Sequence, residues 1–130
     1  MTVSTDAQLR TYSHLADEAL VAINARRTAR SATAATLAEY REEAYRRILI
    51  ALRSREPSIT ETDITRPDDL VEAECAGILA LMCAAASSRP DDLFALAAAT
   101  WQARYEAALA AASPIDGVRG QGRSFTWSRA

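Results

Sequence analysis

One stretch constrains this chain more than any other: Asp69 to Ser87, DLVEAECAGILALMCAAAS. From Ala76 to Ala86 it carries no charged or strongly polar side chain. A helix that is apolar all round offers no face to water and has to be packed on every side. The run is well short of the ~20 residues needed to span a bilayer, so no membrane role is expected. It reads as the central helix of a small bundle. The expected fold class is therefore all-α, about four helices around this one, with an extended C-terminal tail. With 130 residues the chain fits one domain and can bury a core without disulfides or metal. The expected division is a helical bundle over residues 1–113 and a tail over 114–130.

Inside the central stretch, Gly77 costs roughly 1 kcal/mol relative to alanine unless a neighbour needs the missing side chain. It is read as a close crossing point between helices. Cys75 and Cys83 are eight apart, which on a helix separates them by roughly 12 Å, too far for a mutual bridge. They read as buried apolar thiols in a reducing compartment. Glu72 and Glu74 are placed near the exposed start of the helix.

Before the central stretch, Thr5 to Gln8 has the form of a capping box. Leu9, Tyr12, Ala16, Ala19 or Leu20, and Ile23 then recur at helical spacing, which predicts one amphipathic helix ending near Asn24 to Arg27. His14 is the only histidine and has no second ligand at metal spacing. Arg26 to Thr36, RRTARSATAAT, reads as a surface loop or a frayed helix that orders on a partner. Its arginines, Arg26, Arg27 and Arg30, are candidates for contact with nucleic acid or an acidic neighbour. Thr36 to Glu39 is a second capping box. Leu37, Tyr40, Ala44, Ile48 and Ala51 or Leu52 give the next helix its buried stripe. Glu42–Arg46 and Glu43–Arg47 are i,i+4 pairs in the favourable order, each adding only a few tenths of a kcal/mol. Residues 56–68, EPSITETDITRPD, break the period, and Ile59 and Ile64 are the expected anchors of that connection.

The pentapeptide RPDDL occurs twice, at Arg66–Leu70 and Arg89–Leu93. Proline suits the first turn of a helix, and aspartates complement its exposed N–H groups and positive end. Both copies are read as helix starts, ahead of paired carboxylates for acid–base chemistry. Leu93, Ala97, Trp101, Arg104 or Tyr105, Ala108 and Ala112 trace the last helix, which Ser113-Pro114 stops.

The remaining residues, PIDGVRGQGRSFTWSRA, differ in kind. Gly117, Gly120 and Gly122 loosen the backbone, and Phe125 and Trp127 are two apart, on one face of an extended chain. Two destinations fit this segment: a return to its own bundle, or docking on another subunit, and the second is preferred.

All 15 basic residues are arginine and the net charge is −2, so the chain as a whole does not attract nucleic acid strongly. The N-terminus lacks the basic-then-apolar pattern of a signal peptide, and a soluble cytoplasmic product is expected. There is no Gly-rich phosphate loop, HExxH or CxxC pair, and no Ser, His and Asp in a nucleophile context. No cofactor, metal or enzyme activity is expected.

The order of features resembles the head-tail connector, or adaptor, proteins of tailed bacteriophages and gene transfer agents. The residues that carry this are LAEYREEAYRRILIALRSR, the Pro/Thr-rich connection, the apolar helix begun by Pro67-Asp68-Asp69-Leu70, WQARYEAALAAA and the Gly/Arg tail, spanning about Leu37 to Ala130. The resemblance implies a non-catalytic virion protein of the neck, present in host cytoplasm during assembly. It implies a homo-oligomeric ring, commonly twelve-fold, beneath the portal protein, which extends the DNA channel and docks a stopper or tail protein. Gly120 to Ala130 would then enter the portal, with Arg123, Phe125, Trp127 and Arg129 as partner-binding residues. Arg26, Arg27 and Arg30 would face the DNA channel or a neighbouring subunit, making sequence-independent phosphate contacts. The alternative is a small helical DNA- or protein-binding regulatory module, supported by arginines at 26, 27, 30, 46 and 47. An enzyme using Asp68/Asp69 or Asp91/Asp92 is the third reading.

Overall fold

The computed structural model describes residues 2–114. Among these are five α-helices and no strand. They are α1 (Asp6–Tyr12), α2 (Leu15–Ala29), α3 (Leu37–Arg55), α4 (Val71–Ala86) and α5 (Leu93–Ala111). Two short 3₁₀ turns, Glu61–Asp63 and Pro67–Leu70, lie in the connection between α3 and α4. The architecture is a small helical bundle with α4 at its centre, packed against α2, α3 and α5, with α1 against its start. Cys75, Ala76, Ile78, Leu79, Met82 and Cys83 have no exposed surface at all, as an all-apolar helix requires.

The packing explains the glycine. A Cβ placed on Gly77 would lie 3.2 Å from Tyr105 Cδ1 and 3.4 Å from Ala44 Cβ. Gly77 is therefore a close crossing point, where the missing side chain leaves room for the Tyr105 ring of α5 and for Ala44 of α3.

The N-terminal helix is two helices. Ser13 adopts an extended conformation (φ −170°, ψ 146°) and its Oγ accepts from the Leu15 N–H at 3.0 Å. Serine competes with the helix for backbone partners in this way. Leu9, Ala16, Ala19 and Ile23 are buried across the break, so the apolar phase runs through it and periodicity alone does not show it. The capping box on Thr5 and Gln8 is formed.

At its far end α2 runs on to Ala29, so Arg26 to Ala29 belong to the helix and not to a loop. The stop is a Schellman arrangement: Ala32 N–H donates to Arg27 O, and Ser31 N–H to Thr28 O. Ser31 holds the left-handed conformation (φ 57°) usually taken by glycine at this position. The loop beyond is clamped by Asn24, whose side chain both donates to and accepts from the Ala35 backbone.

In α3, Thr36 Oγ accepts from Glu39 N–H, while the Glu39 carboxylate faces Arg27 at 4.0 Å, so the second capping box is half formed. Ala44, Ile48 and Leu52 are buried as expected, joined by Tyr45 and Leu49. Glu43 gathers both Arg46 and Arg47, so the Glu43–Arg47 pair forms and Arg46 turns away from Glu42. Ile59 and Ile64 are buried and anchor the α3–α4 connection.

The expectation that Glu74 lies at an exposed helix start is corrected. Its side chain is fully buried. The carboxylate accepts from Val3 N–H at 3.1 Å, from Ser4 N–H at 2.9 Å and from Ser4 Oγ–H. Arg41 Nε lies 3.8 Å away, and Arg41 Nη2 pairs with Asp6 at 2.6 Å. A buried carboxylate is tolerated only when several donors and a cation converge on it, and here they come from the N-terminal segment and α3. Glu74 thus ties residues 3–6 to the first turn of α4.

Two outcomes follow from this packing. Glu74→Ala leaves the Val3 and Ser4 N–H groups without their acceptor and removes the anion beside Arg41, and should cost about 3 kcal/mol in urea unfolding. Gly77→Leu keeps helix propensity but forces a side chain into the Tyr105–Ala44 contact, and should cost at least about 2 kcal/mol, while Gly77→Ala stays within about 1 kcal/mol of the parent.

Candidate partner-binding surfaces

The three arginines named at the end of α2 come together around one hollow of about 220 Å³, with Ile23 and Tyr40. Their roles differ. Arg26 reaches across to the end of α4 and donates to the carbonyls of Ala85 (3.0 Å), Ala86 and Ser87 (3.1 Å). The last carbonyls of a helix have no partner within it, and a guanidinium there satisfies them and complements the negative helix end. Arg27 donates to Thr33 O and lies near Glu39. Arg30 is exposed. Two of the three therefore spend their donors on the protein's own backbone.

The two copies of RPDDL start helices by different means. At the second, Asp92 is the N-cap of α5: its carboxylate accepts from Ala95 N–H at 2.8 Å and from the Ser88 and Arg89 N–H groups at 2.6 and 3.1 Å. These bonds hold its pKa well below the usual carboxylate range, Ser88 contributing most. At the first copy the equivalent N–H groups, those of Thr65 and Arg66, donate instead to the carbonyl of Pro114, at 3.0 and 2.8 Å. Pro67 then opens a 3₁₀ turn carrying Asp68 and Asp69, which runs straight into α4. All four aspartates lie at helix starts, as the sequence suggested.

Pro114 is itself buried, so the chain is held to the body at that residue, just past the end of α5. The residues named as partner-binding, Arg123, Phe125, Trp127 and Arg129, lie outside the described residues.

Close to this exit, Arg104 of α5 pairs with Glu72 of α4 at 3.6 Å. Its guanidinium also lies over two rings, 4.9 Å from the Trp101 centroid and 5.2 Å from that of Tyr12, where cation–π attraction helps to hold it. Trp101 is buried and Tyr105 half-buried, so the aromatic pair on α5 belongs to the core side of the helix. The larger exposed apolar side chains are Val21 on α2, Ile50 on α3, and Leu93 with Leu96 on the first turn of α5.

Both cysteines are free and fully buried. Burial pushes the Cys83 thiol up to about 11 and raises that of Cys75 as well. Among the described residues no group of three or more His, Cys, Asp or Glu side chains is placed to hold a metal ion. No described helix is long and apolar enough to cross a membrane. No family model, curated protein or solved structure matches the chain.

The sequence did not reveal the reach of Arg26 to α4, because its partners lie about sixty positions away and are backbone atoms. Arg26→Ala should lower stability by about 1–2 kcal/mol by freeing three carbonyls, whereas Arg30→Ala should leave the melting curve within about 0.5 kcal/mol. The thiols supply a separate check. Native protein should not react with a thiol reagent such as DTNB over the minutes in which denatured protein titrates both cysteines, since reaction needs an exposed thiolate.

Proposed function

We propose that the chain is a structural connector that assembles into a ring, docks on a portal-type partner through its C-terminal segment, and does no catalysis. The observation that carries this reading is the packing of α2, α3 and α5 around α4, most of whose side chains are buried. The segment that follows Pro114 carries Arg123, Phe125, Trp127 and Arg129. These residue types dominate interface energies, and they follow an exit point held by Thr65 and Arg66. The resemblance of the chain's layout to head-tail connectors supplies the class of partner. Exposed apolar residues on α2, α3 and α5 give the body spots that adjacent copies can cover in a ring, which needs two different faces on each subunit. The engagement of Arg26 and Arg27 by backbone carbonyls weighs against the DNA-binding regulator, which relies on those arginines being free.

The test is deletion of Gly120 to Ala130. The shortened chain should keep its helical circular dichroism and melt within about 2 °C of the parent, while co-sedimentation with the portal protein is lost. Negative-stain images of the full chain with portal should show rings. Collapse of the fold on deletion, or portal binding that survives it, overturns the reading.

A further inference from the structure

Between the start of α4 and the last turns of α5 the surface is hollowed. One hollow, of about 380 Å³, is lined by Ala107, Ala108 and Ala111 on α5 and by Asp69 and Glu72 at the start of α4. A second, of about 560 Å³, lies beside the same two acids and adds Asp68 and Tyr12. The three carboxylates form an acidic ridge over an alanine floor. Arg104 also lines the first hollow, but its charge is already engaged by Glu72 and its face by the rings of Tyr12 and Trp101. The ridge keeps a negative excess.

The first hollow includes Ser113, next to the buried Pro114 from which the chain leaves. Residues 115–130 hold three arginines and one aspartate, a formal +2, against −4 for residues 1–114. Arg123 lies nine residues beyond Pro114, a reach of about 30 Å at ~3.3 Å per residue. The alanine floor, Ala107 to Ala111, spans about 6 Å of helix. The segment is long enough to turn back, and it has Gly117, Gly120 and Gly122 where a reversal needs permissive backbone.

We propose that this hollow between α4 and α5 receives the Arg123–Trp127 segment of the same chain while the subunit has no partner. Arginine is placed against the ridge of Asp68, Asp69 and Glu72, and aromatic rings on the alanine floor. Charge complementarity selects the segment, and methyl side chains leave room for a ring. The short tether selects the same chain over a second copy, because it holds the segment at an effective concentration of order millimolar. The docking does not depend on the connector reading. It gives that reading a resting state, in which the aromatic segment is sheltered until a stronger partner takes it.

The experiment uses the full chain alone, with no portal protein, so its failure leaves the connector reading standing. Tryptic cleavage after Arg123 and Arg129 is followed by mass spectrometry and scaled to a synthetic peptide of residues 115–130. In the native chain cleavage should be slowed at least about twofold relative to the peptide, as a millimolar tether and a comparable site affinity give. The slowing should vanish in the Asp69→Asn/Glu72→Gln variant, whose changed side chains are exposed, and should weaken at high salt, since the contacts are surface ion pairs. It should not change with protein concentration. Cleavage as fast as in the peptide, or slowing unaffected by both the variant and salt, overturns the proposal. Slowing that grows with concentration assigns the hollow to a second copy and overturns it equally.

Discussion

The structure depends on the burial of one helix along most of its length. α4 carries no hydrophilic face after Glu74, and other elements cover it except near its C-terminal end, where Leu81 is half-buried and Ala84 and Ala85 are exposed. α5 lies along it, α2 and α3 cover the rest, and the α3–α4 connection closes the end with Ile59, Ile64 and Leu70. Among the described residues the only fully buried carboxylate is Glu74. It is matched by backbone donors and by Arg41. Those donors come from residues 3 and 4, so the N-terminal segment is tied to the core by hydrogen bonds as well as by the packing of Val3. At Gly77 the absent side chain makes room for Tyr105 of α5 and Ala44 of α3.

The features readable from the sequence are those written in local patterns. The apolar run of α4, the buried phase of α3, the capping box at Thr5 and the anchoring isoleucines all rest on neighbours within a few positions, and each appears in the structure. The features missed depend on partners far along the chain. Glu74 sits two residues from Glu72 and looks like the same first-turn acid. Only the arrival of Val3 and Ser4, some seventy residues earlier, makes it a buried acceptor. The break at Ser13 was hidden for another reason: the two short helices on either side keep one apolar phase, so the period passes over the interruption.

The candidate surfaces were legible to a lesser extent. Residue type marked Arg26, Arg27 and Arg30, and they do gather at one place, but type does not say whether a guanidinium faces a partner or the end of another helix. The duplicated RPDDL showed the same limit. Identical letters start α4 and α5, yet the N–H groups ahead of the proline find a side-chain carboxylate in one copy and a distant backbone carbonyl in the other. The acids of the first copy then stand on a surface that α5 shares, a juxtaposition that local pattern does not encode.

The anchoring of Pro114 has a mechanical consequence. Its carbonyl is held by two N–H groups from the α3–α4 connection, so traction on whatever follows residue 114 is not borne by α5 alone. The load divides, part of it passing along α5 and part entering the turn at the foot of the central helix. A chain pulled by its trailing end would be gripped at the base of its innermost element as well as along its last helix.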